Sequence, residues 1–241
     1  MCTVTYIPPI EERGFILTSN RDEKEFRPTI PPELYKHLGI QVGFPKDTKA
    51  GGSWIAVNEN GRLCCLLNGA YRAHIKEPFY SISRGNVLLQ LSSSTMSVEA
   101  FFKNDTLANV EPFTIVTIEQ KNAAIHNFSE FVWDGKEKHF RELDKNNPYI
   151  WSSVTLYSEE HRKMRKEWFT RFFQEFKNDI SPDNVFGFHS GKHTNDNSIN
   201  VIMQRDGGLK TVSITQITPN NGKLVMRYSD LLNNSNHELE I

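Results

Sequence analysis

Apolar and polar residues alternate along much of this chain with the two-residue period of β-strands. Residues 3–7 alternate in this way, a Pro-Pro pair interrupts them, and residues 14–19 resume as a second, more buried strand. The two stretches predict an antiparallel hairpin that turns near residues 10 and 11. In that register Cys2 lies opposite Ser19.

Further hairpins are predicted wherever two such runs flank a turn signal. Residues 51–57 and 62–68 flank Asn58-Glu59-Asn60-Gly61, where Asn-Gly favours a type I′ turn that sets Ser53 opposite Asn68. The other predicted strands are residues 113–118 with 123–128, 131–133 with 138–143, 199–203 with 211–217, and a last strand at 224–228. So many strands predict two packed sheets.

Helical periodicity appears in two parts of the chain. Residues 85–92 and 97–103 predict a helical pair, with Ser97 as an N-cap. Ser158 is predicted to cap a longer helix at 159–176, whose apolar positions recur every four residues. Helices separated by runs of hairpins predict an α+β architecture of two antiparallel sheets covered by helices, within a single domain spanning residues 1–241.

Two stretches are predicted to lack regular structure. Residues 24–50 contain four prolines and are interpreted as loop-rich, either a lid over a pocket or a packed Ω-type loop. The segment from Asn233 onward is polar and is predicted to fray.

The charge balance argues against polyanionic partners. The formal net charge is −1 and the isoelectric point is about 6.7, with acidic and basic residues interspersed. No apolar run approaches the roughly 20 residues that span a bilayer. We therefore expect no nucleic-acid partner and no membrane insertion, while the oligomeric state stays open. Three cysteines form no disulfide framework, and free thiols favour a cytoplasmic location.

The first two residues carry the main candidate chemistry. When Met1 is removed before a small side chain, Cys2 becomes the first residue and holds both a thiol and a free α-amine. The reference pKa values are about 8.5 for the thiol and roughly 7.7–8.0 for the amine, so one residue can supply nucleophile and base. The predicted hairpin brings Asn20-Arg21-Asp22 beside it. In an extended strand Asn20 and Asp22 share one face, and all three side chains reach one site only where the strand ends or bulges.

Other chemistry-bearing residues have simpler interpretations. His189 and His193 are four residues apart, and a metal or haem site could use them, but they complete no zinc pattern and are interpreted as part of a polar loop. Cys64 and Cys65 point to opposite faces of a strand and are interpreted as small core residues. We predict no metal and no cofactor.

The N-terminal motifs resemble those of the NRDE family, also called the transport and Golgi organisation family. The resemblance is carried by motifs within the first ninety residues, with a looser match at Ser152-Ser153 and residues 194–199. Those motifs are Met1-Cys2, Asn20-Arg21-Asp22-Glu23, Gly51-Gly52-Ser53-Trp54, Asn68 and Ser83-Arg84-Gly85.

The resemblance implies an N-terminal-nucleophile hydrolase fold, a four-layer αββα sandwich similar to the choloylglycine hydrolase and penicillin acylase group. It further implies that Cys2, with its α-amine as base, attacks an amide or ester carbonyl of a small-molecule substrate. Arg21 and Asp22 would orient Cys2, and Asn68 would donate to the oxyanion. Asn20 and Ser153 are expected to contact the ligand, Ser153 standing where the family has an Asn. The alternative is a non-catalytic protein of the same fold that binds or traffics haem or an acyl lipid.

Overall fold

A computed structural model describes residues 3–10, 13–177 and 179–241. Cys2 lies outside the described residues, so its predicted place in the first hairpin is not part of this structure. The described strands, in chain order, are β1 (Thr3–Ile7), β2 (Ile16–Lys24), β3 (Thr29–His37), β4 (Ile40–Asp47), β5 (Ile55–Asn58), β6 (Arg62–Asn68), β7 (Phe113–Lys121), β8 (Ala124–Trp133), β9 (Lys138–Glu142), β10 (Tyr149–Ser152), β11 (Gln204–Arg205), β12 (Leu209–Asn220), β13 (Lys223–Asp230) and β14 (Ser235–Glu240). The α-helices are α1 (Arg84–Ser92), α2 (Val98–Asn104), α3 (Glu159–Phe176) and α4 (Pro182–Ser190).

The strands form two seven-stranded antiparallel sheets. The first has the order β10-β1-β2-β12-β13-β14, with β11 paired to β12, and the second runs β3-β4-β5-β6-β7-β8-β9. A central core that includes Leu17, Val57 and Met226 lies between the sheets. The outer face of the first sheet packs on α3 and α4, and that of the second on α1 and α2. The predicted four-layer αββα sandwich is confirmed.

Adjacent cysteines in β6 illustrate how the second sheet separates two cores. Cys65 belongs to the core between the sheets, whereas Cys64 packs with the core beneath α1 and α2. Both side chains are fully buried. The prediction that they face opposite sides of a strand as small core residues is confirmed, because the side-chain period of a strand is two.

The helix predictions agree with the structure at the capped ends. The hydroxyls of Ser97 and Ser158 accept hydrogen bonds from Ala100 N and His161 N, as N-caps do.

Helix α4 was not predicted, although Ser181 and Asn184 form a capping box at its start and Pro182 lies in its first turn. A pattern of only nine residues with a glycine inside it gives a weak periodic signal.

Both predicted hairpin registers need correction. In the first, Val4 pairs with Ser19 and Thr3 with Asn20, because the turn closes through a bridge between Ile10 and Arg13, later than predicted. Ser19 is therefore the partner of Val4.

The hairpin of β5 and β6 is also shifted, by one residue. Ile55 pairs with Cys65, a register that aligns Ser53 with residue 67 rather than with Asn68. The cause is the turn: Gly61, with φ +81°, donates to the carbonyl of Asn58, and Asn60 is not in the left-handed region that a type I′ turn requires.

Three stretches differ from their predicted secondary structure. Residues 24–50 contain strands β3 and β4, and the loop prediction is wrong because their prolines lie on or next to an edge strand that also carries a bulge. The segment from Asn233 forms β14 instead of fraying, since its backbone pairs with β13. Residues 199–203 are not a strand, and their place beside β12 is taken by β11.

Candidate active site

The N-terminal end of β1 brings two other strands together. Thr3, the first described residue, pairs with Asn20 of β2 on one side and with Ser152 of β10 on the other. Arg21 and Asp22 follow Asn20, and Ser153 follows Ser152. The predicted site residues of β2 therefore lie on one side of this end of β1, and Ser153 follows β10 on the other side. Asn68 of β6 is reached through its contact with Ser153.

Asp22 is held by side chains distant in sequence. Its carboxylate, 4% exposed, accepts hydrogen bonds from the hydroxyls of Tyr157 (2.7 Å) and Thr211 (2.6 Å). A register shift lies between Thr211 and Ser213 of β12, opposite Asp22 and Arg21. The sequence predicts a strand end or bulge at Asn20-Arg21-Asp22. The structure has the bulge in the neighbouring strand β12, while β2 itself continues to Lys24.

Arg21 points to the other side of the first sheet, as strand alternation requires. Its guanidinium donates to Asp47 of the second sheet (2.8 Å) and lies 4.7 Å from the ring centroid of Trp54. The Arg21 side chain therefore lies between the two sheets, whereas those of Asn20 and Asp22 lie on the face of the first sheet that α3 and α4 cover.

Asn20 is committed to the protein interior. Its amide nitrogen donates to the carbonyls of His189 (3.0 Å) and Val201 (2.8 Å), and its amide oxygen lies 2.6 Å from His189 Nδ1. Both amide hydrogens of Asn20 are thus used by backbone carbonyls, which suits a positioning role better than the predicted ligand contact.

Asn68 and Ser153 meet at the end of β6. The Ser153 hydroxyl donates to the backbone carbonyl of Asn68 (2.7 Å) and lies 2.9 Å from the hydroxyl of Thr155. Ser153 is 1% exposed, whereas Asn68 is half-buried. Within the described chain the Asn68 side-chain amide makes no hydrogen bond, and the residue lines two adjoining cavities.

A buried cation beside β1 was not found from the sequence. Arg165 of α3 is fully buried, donates to Thr3 Oγ1 and to the carbonyls of Ile199 (3.1 Å) and Asn200, and its guanidinium carbon lies 3.5 Å from the ring centroid of Tyr157. Tyr157 in turn donates to Asp22. Arg165 lies three and four residues before Trp168 and Phe169, on the apolar stripe of α3. Its charge, rather than its position, argued against burial, because arginine is rarely fully buried unless it is paired.

His189 links α4 to the first sheet. Because the amide oxygen of Asn20 can only accept, Nδ1 of His189 donates to it, and Nε2 accepts from the hydroxyl of Thr5 (2.7 Å). Burial, with smaller contributions from Arg165 and His193, lowers the pKa of His189 to about 3. The imidazole is therefore neutral in the folded protein at neutral pH.

This shift predicts a pH-dependent stability. Between about pH 6.5 and pH 3 the unfolded His189 binds a proton that the folded one does not, so the free energy of unfolding falls as the pH falls, by up to about 1.4 kcal/mol per pH unit. We expect His189→Gln to flatten this slope in urea titrations at several pH values. The matched variant His126→Gln changes an exposed histidine and leaves the slope unchanged. An unaltered slope in His189→Gln would contradict the assignment.

The histidine pair has a structural explanation in this fold. His193 Nε2 donates to the carbonyl of Phe188 (2.9 Å), and the ring stacks on Trp168. His189 lies at the end of α4, so the predicted polar loop is wrong for that residue. Across residues 3–10, 13–177 and 179–241, no three His, Cys, Asp or Glu side chains are grouped so as to hold a metal ion.

Two cavities adjoin Asn68. The polar cavity has a volume of about 370 Å³ and is lined by Arg21, Trp54, Asn68, Ser83, Arg84 and Glu111, among others. The apolar groove, of about 1040 Å³, runs along α3 and β10 and is lined by Asn68, Trp151, Ser153, Arg162, Phe169 and Phe173, among others. A ligand bound at Asn68 could extend into either cavity.

Solved structures place this architecture in a known class. Conjugated bile acid hydrolase from Clostridium perfringens, in a variant form, matches with a TM-score of 0.60 and 14% identity over 99% of this chain and 92% of its own. The Caenorhabditis elegans ortholog of N-acylethanolamine-hydrolyzing acid amidase matches at 0.60 and 11% over 92% and 95%. Penicillin V acylase from Agrobacterium tumefaciens matches at 0.56 and 10% over 100% and 86%. The chain therefore has the N-terminal-nucleophile hydrolase fold.

The family follows from the sequence itself. Residues 1–228 match the family described as Transport and Golgi organisation 2, and the chain belongs to that family. No curated protein sequence matches it. Among the described residues, none of the helices combines the length and the apolar character needed to cross a bilayer.

Proposed function

We propose that this protein is a cysteine N-terminal-nucleophile hydrolase, or an acyl transferase, acting on a carbon–nitrogen amide bond of a small organic substrate. The observation that carries the proposal is that Arg21 and Asn68 line one cavity beside the strand that begins at Thr3, with Ser153 bonded to the Asn68 carbonyl. In the sequence, Cys2 precedes Thr3 directly. The named activities of the structural neighbours, two hydrolases and an acylase, support the same class of reaction.

The proposed mechanism uses the processed N-terminus. After removal of Met1, the α-amine of Cys2 takes the thiol proton and Sγ attacks the amide carbonyl, forming a tetrahedral oxyanion. Asn68 donates to this oxyanion, and loss of one such donor typically costs about 10²–10³ in rate. The C–N bond then breaks, the proton leaves with the amine, and water or an acceptor cleaves the thioester. Arg21 and Asp22 orient Cys2, with Asn20 and Ser153 holding the strands that carry them.

A second candidate function is supported by the apolar groove. Its volume of about 1040 Å³ and its aromatic lining would suit a hydrophobic ligand carried without turnover. In that case the fold serves binding or trafficking, and Cys2 has no chemical role. The two functions differ in the reactivity of Cys2.

Selective alkylation tests the proposed nucleophile. Burial raises the pKa of Cys64 to about 11 and that of Cys65 to about 12, so both thiols stay protonated and shielded near neutral pH. We expect the untagged protein to lack Met1 in an intact-mass measurement and to take one substoichiometric iodoacetamide label at Cys2. Label on Cys64 or Cys65 after denaturation serves as the internal control. Retained Met1 or an unreactive Cys2 would contradict the hydrolase mechanism.

A further inference from the structure

We propose that the polar cavity binds a carboxylate or phosphate group of a small-molecule substrate. The inference names the substrate class of the proposed reaction and in that respect rests on the proposed function. It is carried by the charge of the cavity wall, by buried donors that lack acceptors, and by a volume at the lower end of the range for small-molecule sites.

The cavity wall has an excess of positive charge. Its cationic side chains are Arg21, Arg27, Lys76 and Arg84. Its carboxylates are Glu23, Asp47 and Glu111. The four cations and three carboxylates leave one formal positive charge in excess.

Each of the three carboxylates accepts from several donors. Glu23 accepts from the Arg27 guanidinium (2.9 Å) and from the backbone of Lys24 (2.9 Å). Asp47 Oδ2 accepts from Arg21 (2.8 Å) and Arg27 (2.7 Å), while its Oδ1 accepts from the backbone of Lys49 and Ala50. Glu111 pairs with Arg84 (2.9 Å) and with His74 (3.1 Å). These pairs weaken the repulsion between the carboxylates and an incoming anion, and they leave Lys76, 4.0 Å from Glu111, as the cation in excess.

Buried donors at the wall lack acceptors within the described chain. Of the five N–H groups of Arg21, two have acceptors: Asp47 at 2.8 Å and the Arg27 carbonyl at 3.5 Å. The Arg21 side chain is 4% exposed. Trp54, also 4% exposed, has an indole N–H without a partner. Buried donors normally have acceptors, so a ligand oxygen would complete this set.

Arg84 is held at the edge of the cavity by the start of α1. Ser83 caps this helix, which has no acidic side chain in its first turn. A Cβ added at Gly85 would lie 2.7 Å from the Ser53 carbonyl oxygen, so the helix backbone packs directly against the loop before β5. The guanidinium, with a side chain 15% exposed, is therefore presented from a fixed backbone and can form charge-assisted hydrogen bonds to an anion.

Calorimetric titration of the full chain tests the anion site. The Cys2→Ala variant prevents turnover, and the probes are acetylglycine, acetylglycinamide and inorganic phosphate. We expect acetylglycine to bind about tenfold or more tightly than its amide, the difference a charge-assisted hydrogen bond makes. In the Cys2→Ala background, Arg84→Gln removes this preference and Arg84→Lys retains part of it. Arg227→Gln, which breaks a surface pair with Glu238 elsewhere, leaves it intact.

The titration results either support or overturn an anion site in the polar cavity. Tighter binding of phosphate, in competition with acetylglycine, supports the same site with a phosphate group as ligand. Equal affinity for acid and amide, no binding of either anion, or a preference that survives Arg84→Gln overturns it. If Arg84→Gln lowers the melting temperature, Lys76→Gln, at a side chain 76% exposed, tests the same charge without risk to folding. Because the titration needs no turnover, a positive result stands even if the Cys2 mechanism fails.

Discussion

Replacing Cys2 by Ala is expected to abolish turnover of an amide or thioester substrate, by a factor of about 10⁴ or more. The variant removes the atom that would form the acyl intermediate, and no other group can take over its place at the start of the chain. A substrate identified by screening would be measured for kcat and KM with wild-type and variant protein. We expect kcat to fall while the affinity for substrate changes little, because Sγ contributes chiefly to the transition state.

The control for this variant is a cysteine that the mechanism does not use. Cys64→Ala removes a fully buried thiol from the core beneath α1 and α2. It should lower stability by on the order of 1 kcal/mol and leave kcat unchanged. Full turnover in Cys2→Ala would contradict the role of Cys2 as the nucleophile. No turnover in either protein, with ligand affinity unchanged by Cys2→Ala, would favour binding over hydrolysis.

The second large effect is expected in stability. Arg165→Met should lower the free energy of unfolding by about 3–5 kcal/mol, because it leaves the carbonyls of Ile199 and Asn200 buried without their donors. It also removes the hydrogen bond to Thr3 and the cation–π contact with Tyr157. Urea denaturation followed by circular dichroism measures the change.

A neighbouring position provides the matched control. Lys166 follows Arg165 in α3 but is exposed, so Lys166→Met should change stability by less than about 0.5 kcal/mol. Similar losses in the two variants would mean that helix α3, rather than the buried guanidinium, accounts for the effect. Arg165→Lys keeps the charge but lacks the planar fork, and we expect it to recover part of the stability.

Local features of the fold were predictable because they depend on neighbours in the chain. Ser97 and Ser158 cap their helices through backbone groups three residues away. The separation of Cys64 and Cys65 between two cores follows from strand alternation. Registers were less predictable, since moving a turn by one or two residues shifts every pair in the hairpin.

In the candidate site, too, the features that are local in the chain were predictable and the long-range contacts were not. The sequence by itself determined the family, the αββα class and the group of residues that the proposal uses, because the motif around Arg21 and Asp22 is continuous in the chain. Only the tertiary structure decided that Tyr157 and Thr211 hold Asp22, and that Arg165 reaches Thr3. Those contacts join residues 135 to 189 positions apart in the chain. A buried polar partner at such a separation is selected by packing and hydrogen-bond satisfaction in the folded interior, which no local pattern encodes.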